Sequence, residues 1–141
     1  MNVEARAAKF YFGKLFGKFA RNNDVDIRNA MLNYGYAIVR SGVARALTAS
    51  GFIPALGIQH CSQTNAFNLA DDLVEPFRPF VDVLVHAMSE DRTRSETALT
   101  VEDKQRLAAV LLNEGYFGKE AVTLLVATER VSESLARCME G

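Results

Sequence analysis

The segment Ile27-Arg-Asn-Ala-Met-Leu-Asn-Tyr-Gly-Tyr-Ala-Ile-Val-Arg-Ser-Gly-Val-Ala-Arg-Ala-Leu-Thr-Ala-Ser50 is the longest periodic run in the chain. Ile27, Ala30, Met31, Tyr34, Ile38, Val39, Val43, Ala46 and Leu47 recur at three- and four-residue steps, the spacing of one helix face. Residues 26–50 are therefore predicted to form a central core helix. Gly35 and Gly42 each cost such a helix about 1 kcal/mol against alanine. Close packing of another backbone is the expected compensation.

Upstream, Asn22-Asn23-Asp24 reads as a turn that offers capping oxygens. Before it, Val3, Ala7, Phe10, Leu15, Phe16 and Phe19 predict a helix over residues 2–21, with Asn2 as N-cap and Glu4 in the first turn. Lys14, Lys18 and Arg21 fall on another face of that helix, either a solvated surface or a track for phosphates. Downstream, Pro54 and two flanking glycines make residues 52–58 a short connector that delivers His60 into a polar turn. An acidic helix is predicted to begin near residue 68. Its apolar face, Phe77, Phe80, Val81, Leu84 and Val85, runs on to about Met88. Residues 89–99 are polar and aperiodic, a loop. Thr100-Val-Glu-Asp starts a further helix with a capping-box pattern, and Lys119 to Met139 reads as a last amphipathic helix. No stretch alternates in the manner of a strand. The expectation is an all-α fold, a single helical bundle domain of about five helices over residues 1–141.

With an apolar fraction of 49%, the chain is globular rather than disordered. It has no apolar run of membrane-spanning length and no signal-peptide pattern at its start. Cys61 and Cys138 are the only cysteines, read as reduced thiols, so the expected location is the cytoplasm. The net charge of −1 conceals a division: residues 1–50 carry a net +5 and residues 51–141 a net −6. Such a division suits nucleic acid on one side and cations on the other, and equally two solvated faces.

Within the acidic half, Asp71, Asp72 and Glu75 share little more than one helical turn. Asp72 and Glu75 stand at i, i+3, and Asp71 and Glu75 at i, i+4. Like charges at that spacing repel and call for a cation. Arg78, three residues after Glu75, is one source. A divalent ion held together with His60 is the other, and one imidazole with several carboxylates suits Mn²⁺ or Mg²⁺ better than structural zinc. Pro76 and Pro79 remove two backbone donors beside the acids, and Pro76 also fits the first position of a new helix. His86 is read as a packed or surface histidine. A free-standing metal-storage bundle would need a second carboxylate–histidine set, and the sequence has none.

Several motifs in fixed order then carry a resemblance. They are Asn2-Val-Glu-Ala-Arg-Ala-Ala-Lys-Phe-Tyr-Phe, Leu15-Phe-Gly, Asn29-Ala-Met-Leu-Asn-Tyr-Gly-Tyr-Ala-Ile, Leu56-Gly-Ile-Gln-His and Asn68-Leu-Ala-Asp-Asp-Leu-Val-Glu-Pro-Phe-Arg-Pro. Together they resemble the helical catalytic domain of the CRISPR-associated adaptation integrase, most closely its type II form, over about residues 2–88. The helices at about 100–139 are merely compatible with it. The resemblance implies a metal-dependent DNA endonuclease and integrase that inserts spacers into a CRISPR array by transesterification. It implies Glu4, His60 and Glu75 as catalytic ligands of Mn²⁺ or Mg²⁺, with Asp72 as an auxiliary position. It also implies that Arg78 and the basic residues Lys14, Lys18 and Arg21 meet DNA backbone. The implied partners are spacer and repeat DNA, a small ferredoxin-like adaptation nuclease and a second copy in a homodimer, with no membrane. Members of the family begin with a β-rich domain that builds the dimer, whereas this sequence begins at its Glu-bearing helix. The chain is thus expected to be truncated, or naturally of fragment length. Glu4, in an unsupported first turn, is expected to make metal binding weak and integration poor. The competing expectation is a non-catalytic helical remnant or interaction module that keeps the fold.

Overall fold

A computed structural model describes residues 3–21, 23, 25–90 and 98–140, without the side chain of Glu4. The expected N-cap Asn2, the turn residues Asn22 and Asp24 and most of the expected 89–99 loop lie outside the described residues.

The central helix forms as its periodicity predicts. Helix α2, Ile27–Ala49, is capped by Asp26, whose carboxylate accepts the Arg28 N–H. It packs against α3 (Asn68–Val74), α4 (Arg78–Glu90), α5 (Val101–Ala108) and α6 (Leu124–Glu140). Met31, Leu32, Val39 and Leu47 are fully buried there, among Leu69, Val74, Val81, Val85, Leu107, Val110 and Leu124. Each such side chain contributes about 1.5–3 kcal/mol through burial. The two α2 glycines sit where neighbours come close. A Cβ on Gly35 would overlap Val81 Cγ1, and one on Gly42 would lie 3.1 Å from Leu111.

The acidic segment forms as two helices in continuation. Helix α3 ends at Val74, a 3₁₀ turn spans Glu75–Phe77, and α4 follows at Arg78. Pro76 stands at the start of that turn, where a missing N–H costs nothing. Thr100 and Asp103 form the expected capping box of α5, and a 3₁₀ turn, Ala109–Leu112, extends that helix.

Two expectations need correction. The first helix, α1, spans Val3–Phe16 rather than 2–21. Gly17 takes a positive φ of 67° and returns its N–H to the Gly13 carbonyl, a left-handed end to the helix. Arg28 then caps that end by donating to the carbonyls of Phe16 and Lys18. Lys18 and Arg21 therefore do not continue a helical stripe from Lys14. The second correction is a β-hairpin, β1 (Glu114–Phe117) and β2 (Glu120–Thr123), in place of the start of the last helix. Phe117 pairs with Glu120, so Gly118 and Lys119 make a two-residue turn with Gly118 at φ 66°. That is the place a type II′ hairpin reserves for glycine. The fold is otherwise all-α, as expected. No helix among the described residues is long and apolar enough to cross a membrane.

Candidate metal centre

His60 sits at the end of the 52–60 connector, and Asp72 on α3 holds that end in place. The Asp72 carboxylate accepts the backbone N–H groups of Ile58 (2.6 Å), Gln59 (3.0 Å) and His60 (3.1 Å). It also lies 2.5 Å from His60 Nδ1. Burial alone would raise the Asp72 pKa. The donors from Gln59, the His60 ring, Ile58 and the His60 backbone outweigh it and bring the pKa down to about 2. An ionised carboxylate can only accept, so His60 Nδ1 carries a proton, and the tautomer with a lone pair on Nε2 is the one a metal ion would bind. The His60 side chain is half exposed. Its free nitrogen is thus available to a ligand from solvent.

The connector can turn this tightly because of two residues. A Cβ on Gly57 would run into the His60 carbonyl. Asn68, buried at the start of α3, donates its amide to the carbonyls of Ala55 and Ser62 on either side of the turn. Asn65 serves α3 from outside: its side chain accepts the Phe67 N–H and donates to Asp71, 2.7 Å away.

The remaining acids are distributed. Asp71 faces Arg40 at 3.6 Å. Glu75 is exposed and pairs with Arg78 at 3.1 Å. The Arg78 guanidinium lies over the Tyr36 ring, 5.1 Å from its centroid. Glu4 is placed on α1, its side chain outside the described part. Among the described residues no three His, Cys, Asp or Glu side chains come together closely enough to hold a metal ion. The described donors are therefore His60, already oriented, and Glu75, open to solvent beside a cation. Both are oxygen or nitrogen donors of the type that Mn²⁺ and Mg²⁺ accept. Asp72, with its oxygens committed to the connector, acts on His60 rather than as a free ligand.

Of the basic residues singled out in the sequence, Lys14 is exposed and rests over Phe10, and Lys18 is exposed in the turn after α1. Arg21 is engaged within the protein: its guanidinium donates to Asn29 at 2.8 Å and Asn33 at 2.6 Å and lies over Tyr36. Cys61 and Cys138 are exposed free thiols. His86 lies tilted against Phe16, 6.0 Å between centroids, and is partly exposed, as read from the sequence.

Sequence reasoning missed a further acidic group. Asp82, on α4, is 3% exposed and accepts the hydroxyls of Tyr11 (2.8 Å) and Tyr36. Its signal was an acid in the apolar run Phe80-Val-Asp-Val-Leu84, which a buried helix face tolerates only with partners.

The family model for the CRISPR associated protein Cas1 matches residues 1–121. A CRISPR-associated endonuclease Cas1 of Neisseria meningitidis serogroup C (strain 8013) is 42% identical over 134 residues, covering 94% of this chain and 43% of the relative. A second protein of that name from Pyrobaculum aerophilum is 30% identical over 99% of this chain and 48% of the relative. The chain thus spans about half the length of these curated relatives.

Proposed function

The chain belongs to the CRISPR-associated Cas1 family, and from that premise we propose that it is the metal-bearing helical part of a DNA endonuclease and integrase of spacer acquisition. The observation that supports this reading best is the strapping of His60 by Asp72. It fixes Nδ1 as a protonated ring nitrogen on a half-exposed side chain, as in metal sites where a carboxylate orients the ligating imidazole. In this reading Glu4, His60 and Glu75 hold Mn²⁺ or Mg²⁺, and Asp72 supports His60. Bound there, the ion would neutralise charge growing on a scissile phosphate and stabilise the entering or leaving oxygen.

The reaction proposed is transesterification. A spacer 3′-hydroxyl oxygen forms a bond to a repeat phosphorus, and the bond to the leaving 3′-oxygen breaks. That oxygen takes up a proton in place of the one the attacking hydroxyl gives up. His60 keeps its Nδ1 proton on Asp72 throughout, so its role is to bind and not to shuttle protons. Arg78 places a fixed positive charge beside Glu75 and within reach of a phosphate backbone. The proposed partners are spacer and repeat DNA, a small ferredoxin-like adaptation nuclease and a second copy of the protein.

A non-catalytic helical module is the competing reading, and the dispersed placement of the described acids favours it. Cleavage of branched DNA with Mn²⁺ separates the two. The catalytic reading expects Glu75→Ala and His60→Ala each to lower the rate by at least about 100-fold, of the order seen when one group stabilising a transition state is removed. Equal cleavage by wild type and both variants would defeat it.

A further inference from the structure

Asp82 lies where three elements meet. Tyr11 of α1 and Tyr36 of α2 both donate to its carboxylate, which α4 carries. Burial raises the pKa of both phenols, Tyr11 to about 12, and the adjacent Asp82 raises them further. Both hydroxyls therefore remain protonated donors. The Tyr36 ring in turn supports Arg78, the partner of Glu75.

The contacts of α1 with α4 advance together along both helices. Tyr11 meets Asp82, and Phe16 meets His86. Seven residues before Tyr11 stands Glu4, and seven before Asp82 stands Glu75. Seven residues are two helical turns, roughly 10 Å of rise. Tyr11 is thus two turns along α1 from Glu4, and Asp82 is reached from Glu75 through the 3₁₀ turn Glu75–Phe77 and the first turn of α4.

Nothing else described ties down the front of α1. Val3 and residues 5–10 are exposed, and packing against the core begins at Phe12. Apolar packing of Phe12, Leu15 and Phe16 holds a helix against a surface but leaves it some freedom to roll. A hydrogen bond from Tyr11 to one buried carboxylate removes that freedom.

We infer that Asp82 is a positioning residue. Through Tyr11 it fixes the rotation of the helix that bears Glu4, and through Tyr36 and Arg78 it fixes the surroundings of Glu75, so that the two carboxylates are presented to one ion. The inference rests on the reading of Glu4, His60 and Glu75 as metal ligands.

Tyr11→Phe tests it, because that change removes one hydroxyl from a partly exposed residue and leaves the packing intact. His60→Ala is the control for the metal reading. Three quantities are measured for wild type and both variants: thermal midpoint, amide hydrogen exchange without metal, and Mn²⁺ affinity by calorimetry. Tyr11→Phe is expected to lower the midpoint by only a few degrees, the cost of one hydrogen bond, and to speed exchange at residues 7–10 several-fold, with α2 and α4 unchanged. It is expected to weaken Mn²⁺ binding by about tenfold, at the low end of losses seen when a supporting partner is removed. His60→Ala should abolish Mn²⁺ binding without altering α1 exchange. If Tyr11→Phe exchanges and binds Mn²⁺ as wild type does while His60→Ala loses the metal, the positioning role is wrong and the metal site stands. A lowered midpoint with exchange quickened throughout the bundle would make the contact merely structural. Wild-type Mn²⁺ affinity in His60→Ala, or no Mn²⁺ binding by wild type, would overturn the metal reading and this inference with it.

Discussion

At the scale of single residues, Asp72 contributes more than its neighbours Asp71 and Glu75, because its carboxylate accepts three successive backbone N–H groups of the His60 turn and meets the His60 ring as well. In Asp72→Asn one oxygen is replaced by an amide that points donors at donors. Stability should fall by about 1–2 kcal/mol, of the order of a charge-assisted hydrogen bond screened by the solvent that reaches the turn. The pH dependence has a definite sign. The folded pKa, about 2, lies below the ordinary value of 3.8. The contribution is therefore complete above pH 3.8 and is lost as pH falls toward 2. Thermal midpoints of wild type and Asp72→Asn should differ most at neutral pH and converge below pH 3.8; a gap that stays constant down to pH 3 would show that the strap does not stabilise the fold. This pairing was not legible in the sequence. His60 and Asp72 are joined across a loop, where helical spacing gives no guidance, whereas Asp72 and Glu75 were legible as neighbours on one helix. The sequence therefore suggested a cluster of ligands, and the structure separates it into a support and an exposed donor.

At the scale of elements, legibility followed burial. Helix α2 buries a long apolar face, so its period was plain and its limits came within a residue of expectation. The hairpin has two four-residue strands that are mostly exposed, with no alternation to read. Its one usable signal was Gly118-Lys119 at the turn. It docks through Gly115, where a Cβ would lie 2.6 Å from the Phe80 ring. The end of α1 was hidden because the apolar spacing runs on through Phe19, which packs on the core without being helical. The α2 glycines were legible as close approaches, but what approaches is a side chain, Val81 at Gly35 and Leu111 at Gly42, and not the backbone expected; Gly35 gives a test of that reason. Gly35→Ala gains about 1 kcal/mol of helix propensity but forces Cβ into Val81, for a net loss of about 1–2 kcal/mol. In Gly35→Ala/Val81→Ala the clash is gone, so the double variant should be at least about 1 kcal/mol more stable than the sum of the two single changes predicts. Additive denaturation energies would mean that Val81 is not why glycine stands there.

For the whole molecule, the relevant quantity is the distribution of charge. The basic half supplies α1 and α2, and the acidic half supplies the His60 turn and everything after it. Within the basic half the cations are not equivalent. Arg21 and Arg28 are spent on internal partners, while Arg6, Lys9, Lys14 and Lys18 are exposed around α1. A phosphate backbone drawn to this protein should therefore meet α1 and the turn after it, and be repelled by the acidic half wherever no cation screens it. The dependence of duplex affinity on salt measures this. Each phosphate contact adds about 0.9 to the slope of log affinity against log salt concentration. Lys14→Gln and Lys18→Gln should each lower that slope by about one, and weaken binding to all sequences alike. Lys104→Gln and Arg106→Gln, cations of α5 in the acidic half, should leave it unchanged. Equal losses from all four would mean that DNA senses net charge alone, and the basic face of α1 would then have no special claim as the DNA-facing side.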